Sequence, residues 1–391
     1  MINWRQNLYI MWICQFLAMI GMSAIVPFLP LFVRELGVSN INETSRWSGL
    51  VFAGPFFASF FLSPVWGNLG DKYGRKIMTI RAIFGLALSQ VLIGFSQDIN
   101  QLFIGRLLQG ALSGFLPAAM ALIASNTPED KTGYALGILQ SSTAAGTVLG
   151  PLFGGIISDM LSFRSVFFVV AALLAFVGFA IILFVREEKF EKRKTEISLI
   201  DNWKYVLLNK KFLIPSILIM LTALGISFVR PIFVLYIETL KINKNFLPTI
   251  TGALYSIVGI FSIFSAYWWG KKVDVFGLGK SIMMASSLTG FMYALHFFVT
   301  DPYYLVPIRT LLGFGYGALL PLLFTAISKN VSKERRGGVM GVGSSFQIIG
   351  NLVGPLLGGY AGAIIGFSFS FLLTGFVFLL ISLLGFLYLK N

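Results

Sequence analysis

The chain predicts an all-α membrane protein, with twelve transmembrane helices in two parallel-repeat bundles of six. Three observations predict it. Of 391 residues, 56% are apolar and 12% are charged, about half the charged share of a soluble domain. Apolar runs repeatedly reach the ~20 residues that cross ~30 Å of hydrocarbon. The second half of the chain repeats the first at a shift of 203 to 204 residues.

Runs such as VFFVVAALLAFVGFAIILFV, residues 166–185, do not alternate in polarity. A spanning backbone must satisfy itself within helices or a closed barrel, and barrel strands alternate every second residue. Helices follow. The apolar runs place twelve spans near 8–33, 47–66, 77–96, 101–124, 133–158, 165–185, 212–237, 246–269, 281–299, 303–327, 337–361 and 366–389. The first run is too long for a signal h-region and lacks a small-residue cleavage site, so it reads as a retained helix. The longest polar break, 186–211, divides the spans six and six. The predicted organisation is an N-terminal bundle at 1–185, a cytoplasmic linker at 186–211 and a C-terminal bundle at 212–391.

Lys and Arg set the expected orientation. With the N-terminus inside, inside segments hold 21 of the 30 basic residues, outside segments hold five, and Arg81, Arg106, Arg230 and Arg309 lie within spans. Both termini are therefore expected in the cytoplasm. The net charge of +14 reads as a topology signal, with the basic central loop facing anionic lipid rather than nucleic acid. The single cysteine, Cys14, excludes an intrachain disulfide.

The repeat is specific in its residues. Asp71 and Gly74 pair with Asp274 and Gly277, Arg106 and Gly110 with Arg309 and Gly313, and Gly133, Gly137 and Ser141 with Gly337, Gly341 and Ser345. GTVLGPLFGG at 146–155 returns as GNLVGPLLGG at 350–359. Six spans per copy is an even number, so both copies enter the membrane in the same direction. Parallel halves of this kind hold a substrate site between them near the midplane and rock to expose it alternately.

At these residues the chain resembles the major facilitator superfamily, and within it the twelve-helix drug:proton antiporters of bacterial multidrug efflux. The cytoplasmic-loop signature G-x-x-x-D-x-x-G-R-[RK] stands complete as Gly67, Asp71, Gly74, Arg75 and Lys76. The fourth-span signature R-x-x-Q-G stands as Arg106, Gln109 and Gly110. The fifth-span antiporter signature G-x-x-x-G-P-x-x-G-G stands as Gly146, Gly150, Pro151, Gly154 and Gly155. Gly21, Pro27 and Pro30 match the first-span signature loosely.

Each signature has a physical reading. Glycines at 146, 150 and 154 share one helix face and let another backbone approach, while Pro151 bends the helix. That face is expected to seal one end of the pathway in one state. The 67–76 loop reads as a charge latch: a carboxylate at Asp71 facing a helix N-terminus opened by Gly337 and Gly338, and Arg75 reaching Glu129 or Asp130. Arg106, costly within a span, is expected to face the cavity beside Gln109 and to serve proton coupling. Arg309 is its repeat partner, and Arg230 precedes Pro231. No Asp or Glu sits mid-span; Glu35 and Glu238, at the outer ends of spans one and seven, are the acids placed to titrate, and Asp159 ends span five. His296 is the only histidine; the fold the resemblance implies places its span at the periphery, which favours a packing role. The cavity-lining spans of that fold carry Gln15, Phe115, Gln140, Phe228, Arg230, Tyr255, Arg309, Tyr316, Phe346 and Gln347, mixed aromatic and polar groups suited to amphipathic cations.

The resemblance implies proton-coupled export of hydrophobic or amphipathic small molecules by alternating access, from the bacterial cytoplasmic membrane. The proton gradient is the energy source; no cofactor or metal is expected, and the partners are substrates, protons and lipid around a monomer. No G-x-x-x-x-G-K-[ST] stands in the chain, which argues against direct nucleotide use. A metabolite or sugar exporter is the rival transporter. A membrane enzyme or sensor is disfavoured, because no paired carboxylates, metal cluster or nucleophile–base set lies in the spans.

Overall fold

The computed structural model describes residues 4–187, 199–241, 244–332 and 335–389, with the side chains of Asp71, Leu199 and Lys244 outside the described set. Seventeen α-helices make up the described chain: α1 Trp4–Ala24, α2 Leu29–Glu35, α3 Ile41–Tyr73, α4 Arg75–Gly94, α5 Ile99–Ala111, α6 Phe115–Ser125, α7 Thr132–Met160, α8 Phe163–Phe184, α9 Leu199–Leu208, α10 Lys210–Phe228, α11 Phe233–Glu238, α12 Leu247–Phe276, α13 Leu278–Leu295, α14 Leu305–Tyr316, α15 Leu319–Ser328, α16 Arg336–Ile364 and α17 Phe367–Tyr388. No strand occurs among the described residues. The repeat survives in the boundaries. α7 and α16, and α8 and α17, begin and end 204 residues apart.

Eleven of the twelve spans are long and apolar enough to cross a membrane on those grounds alone. The twelfth is α7. At 29 residues it equals α16 in length, about 43 Å at 1.5 Å per residue. Its glycines, serines and threonines hold its hydropathy down, which is the cost of the close packing described below.

Four spans are broken where single helices were expected. The first divides into α1 and α2 at a turn carrying Pro27. The seventh divides into α10 and α11 at a turn carrying Pro231. A proline has no N–H to continue the ladder. The fourth divides into α5 and α6 at Gly114, whose φ of +112° only glycine adopts readily. The tenth divides into α14 and α15 at Gly317. The breaks therefore fall on the same two positions of each copy of the repeat. The described residues of the polar break at 186–211 include further helix. The break contains α9, and α10 already begins at Lys210.

The chain forms two compact units. The first holds 1–38, 57–194 and 245–256; the second holds 39–56, 195–244 and 257–391. In the first, α1 packs along α7 and α8, and α4 along α8. Phe28, Phe32 and Phe167 are buried there, the Phe167 ring 5.8 Å from Phe28 and 5.0 Å from Phe32. In the second, α10 packs along α16 and α13 along α17. Phe371 closes that core against Tyr236 and His296, with His296 stacked on its ring at 4.7 Å. His296 is fully buried and its Nδ1 lies 2.8 Å from the Met292 carbonyl, a packed core group. The first 16 residues of α3 belong to the second unit, and the first ten of α12 to the first.

Candidate functional site

The glycine–proline phrase of α7 presents two faces. Gly146, Gly150 and Gly154 lie against α1. A Cβ on Gly146 would sit 2.6 Å from the Phe16 carbonyl oxygen; on Gly150 it would strike Ser23 Oγ, and on Gly154 the Ala24 carbonyl. Ser23 Oγ donates to Gly146 O at 3.2 Å, fastening the two backbones. The other face holds Pro151 and Gly155 and meets the start of α12. A Cβ on Gly155 would lie 2.5 Å from Pro248 O, and one on Gly252 would strike the Pro151 carbonyl. Side-chain hydrogen bonds fasten this crossing. Asp159 Oδ2 accepts from the backbone N–H of Thr249 at 2.9 Å, and Ser256 Oγ donates to Val148 O at 2.5 Å.

α16 repeats the design in the second unit. Gly350, Gly354 and Gly358 lie against α10 at Met220, Leu224 and Phe228. Pro355 and Gly359 meet the start of α3, where a Cβ on Gly49 would lie 2.6 Å from Pro355 O. The fastening differs: Ser45 Oγ donates to Gly359 O at 2.8 Å, and Arg46 lies 5.7 Å from the Tyr360 ring centroid. Ala363 stands where Asp159 stands in the first copy, 204 residues on.

Broken spans free carbonyls that hydrocarbon cannot solvate. Sequence reading missed what satisfies them. Trp66 Nε1 donates to Ala111 O at 2.7 Å at the fourth-span break, and Trp269 Nε1 donates to Phe314 O at 3.1 Å at the tenth. The pairs are 203 residues apart at both ends, and the signal was the Trp-Gly dipeptide at 66–67 and 269–270. The first copy adds Arg81, which donates to Leu112 O and Ser113 O at 3.1 Å each and stacks 3.7 Å above Trp66. The second adds Ser265, whose Oγ donates to Phe314 O at 2.6 Å.

The loop signature forms the join between α3 and α4. Gly74 has φ +99°, and its repeat partner Gly277 has φ +78°, which accounts for glycine at both. Gly67 is open, with nothing within 4 Å of an added Cβ. Asp71 lies in the last turns of α3, its side chain outside the described residues. The carboxylate that faces a helix N-terminus here is Glu187: it accepts from the backbone N–H groups of Arg75 at 2.8 Å and Lys76 at 3.1 Å. Sequence reading passed over it among the charges of the linker. Asn7 and Asn126 donate to the Arg186 carbonyl at 2.7 and 2.9 Å, so the sixth span's exit is tied to spans one, three and four. Arg75 Nη1 donates to Ala121 O, Lys76 Nζ to Ile182 O, and Asp130 pairs with Lys131. Gly337 is open; Gly338 meets the buried Asn202 of α9.

The remaining candidates divide by burial. Arg106, 8% exposed, donates to Gln109 Oε1 at 2.6 Å. Arg309, 3% exposed, has no such glutamine, because Leu312 stands there; its guanidinium lies 3.4 Å above the Phe233 ring. Gln15 is buried and ties α1 to α7 through Leu139 O at 3.0 Å and Thr143 Oγ1 at 2.7 Å. Phe115, Phe228 and Phe346 are buried, the last stacked on Trp203 of α9. Arg230, Glu238, Tyr255, Tyr316 and Gln347 are half-buried, and Gln140 is exposed. Glu35 forms an exposed pair with Arg164 at 3.4 Å. Trp12, whose Nε1 donates to Ser141 Oγ at 3.0 Å, ties α1 to α7 and was not anticipated. No cluster of three or more potential metal ligands occurs among the described residues.

The family model described as Major Facilitator Superfamily matches residues 11–302 and 240–391. The chain is 37% identical over 377 residues to Multidrug resistance protein MdtG of Proteus mirabilis (strain HI4320), covering 96% of this chain and 94% of that one. It is 38% identical over 382 residues to the MdtG protein of Enterobacter lignolyticus (strain SCF1), covering 97% and 91%. Among solved structures, the nucleoside transporter NupG superposes with a TM-score of 0.80 at 15% identity, over 98% of this chain and 100% of that one. A bacterial homolog of the human lysosomal transporter Spinster gives 0.80 at 16%, over 99% and 97%. At such identity these two share the fold alone.

Proposed function

Because this chain belongs to the Major Facilitator Superfamily, a family of membrane transporters rather than enzymes, we propose that it exports hydrophobic or amphipathic small molecules in exchange for protons. The near-full-length likeness to MdtG multidrug resistance proteins carries this reading. The complete glycine–proline phrase of α7, which accompanies export in the family the sequence resembles, supports it. The charge asymmetry supports both termini in the cytoplasm of a bacterium. The ends of α7 and α12 that hold Asp159 and Thr249 then face outside.

Alternating access asks the molecule to open one end while the other stays shut. On this reading the α7–α12 and α3–α16 crossings are the outside seals, each flat enough for backbone contact and each fastened by few hydrogen bonds. The substrate path runs along spans one, four, seven and ten. Their breaks let half-spans tilt, while Trp66 and Trp269 keep the freed carbonyls satisfied. Arg106 is the buried cation of the coupling machinery. Everted vesicles energised by a pH gradient test the reading. The wild type is expected to move a fluorescent cationic dye, and Arg106→Ala to abolish that movement while still inserting. Absence of gradient-driven movement in the wild type would overturn proton coupling.

A further inference from the structure

We infer that Asp159 is a proton-binding residue of the outside seal: ionised, it holds the start of α12 against α7; protonated, it releases it. The inference rests on the proposed proton coupling and supplies what the spans lack, an acid on a surface that must part.

The geometry is specific. Thr249 lies in the first turn of α12, and its N–H is among the donors that no helical carbonyl accepts. A carboxylate there completes the hydrogen bond and meets the positive end of a 30-residue helix. Protonation removes the charge that the helix end favours. The crossing beneath is two backbones in contact through Gly155, Gly252 and Pro151. The closest approach is backbone to backbone, and the two hydrogen bonds named above cross it. One of the two, Ser256 to Val148, joins neutral groups; the other ends on the Asp159 carboxylate.

The charged surroundings leave Asp159 as the responsive group. It is the only charged residue of α7. The facing stretch of α12, 247–256, holds Tyr255 and no charge. α6 has none, and α1 has only Arg5 near the end remote from Ala24. α2 ends in Arg34 and Glu35, and α8 contributes Arg164, which is engaged with Glu35 and with the carbonyls of Gly94 and Ser96. Lys241 and Lys244 precede α12 in the chain. In the second copy Ala363 stands in this place.

Spin labels at Met160 and Phe246, both exposed, report whether the crossing is closed. In purified full-length protein without substrate, the separated population is expected to rise about fivefold or more as pH falls from about 7 to about 3.5, across the ordinary aspartate range. Asp159→Asn is expected to flatten that profile, and Asp159→Glu to keep a displaced one. Ser256→Ala is expected to raise the separated population equally at every pH, which is the behaviour of a purely structural bond. If Asp159→Asn folds and retains the wild-type profile, Asp159 is not the proton site. If it fails to fold, a flat profile in Asp159→Glu or in the wild type overturns the inference equally. The vesicle assay is separate: gradient-driven movement in the wild type upholds proton coupling even when this inference falls.

Discussion

The two helix crossings share one steric design and differ in their fastening. α7 meets α12, and α16 meets α3, through glycines and a proline at matching positions of the repeat. Each has a serine hydroxyl on a facing carbonyl; the first adds a carboxylate on a helix N-terminus, the second an arginine over a tyrosine ring. Backbone contact tolerates no Cβ, so the glycines recur in both copies. A hydrogen bond accepts many donors and acceptors, so the fastening was free to diverge. On the proposed reading, this asymmetry of fastening lets one copy respond to protons while the other follows.

Breaking the shared part should have the largest effect. Gly154→Leu and Gly358→Leu each drive a side chain into the Ala24 or Phe228 carbonyl. Overpacking of this kind costs roughly 1–3 kcal/mol and often more. Both variants should lose dye movement and unfold at lower temperature, to similar extents. A tolerated leucine in one copy alone would show that the steric repeat is not functional in that copy.

The breaks sharpen the comparison at a smaller scale. Trp66→Phe removes one donor from Ala111 O and leaves a smaller ring beneath Arg81. An unsatisfied buried carbonyl costs about 1–3 kcal/mol. Trp269→Phe should cost less, because Ser265 still donates to the same Phe314 carbonyl. Chemical or thermal unfolding of the two variants checks the order, and a larger loss at Trp269 would reverse it.

The smallest effect belongs to the basic end of the first unit. Glu187→Gln leaves an acceptor for the α4 N-terminus but removes its charge. The expected loss is about 0.3–1 kcal/mol, shrinking as salt is added. A melting series in increasing salt reads it; a loss insensitive to salt would mean that Glu187 acts by shape alone.

The sequence made the spans, the repeat and the three signatures legible, because membrane length and motif spacing are one-dimensional properties. It did not show that spans one, four, seven and ten are broken, since a broken span has the same apolar run as an intact one. Pro27 and Pro231 stood in view, yet proline within a span also permits a simple kink. Gln15 and Phe115 read as cavity candidates from polarity and span membership; their burial follows from which side of a helix they occupy, and that depends on neighbours far away in the chain. Glu187 was one acid among several in a charged stretch. Only the folded position of α4 distinguishes it.

The account stands on both crossings parting together when cargo moves. Two label pairs, Met160 with Phe246 and Ile41 with Ile364, measured in lipid under a pH gradient with and without a cationic dye, test that claim most directly. The account predicts that both distances lengthen in the same fraction of molecules. A lengthening at one crossing while the other stays closed would contradict it.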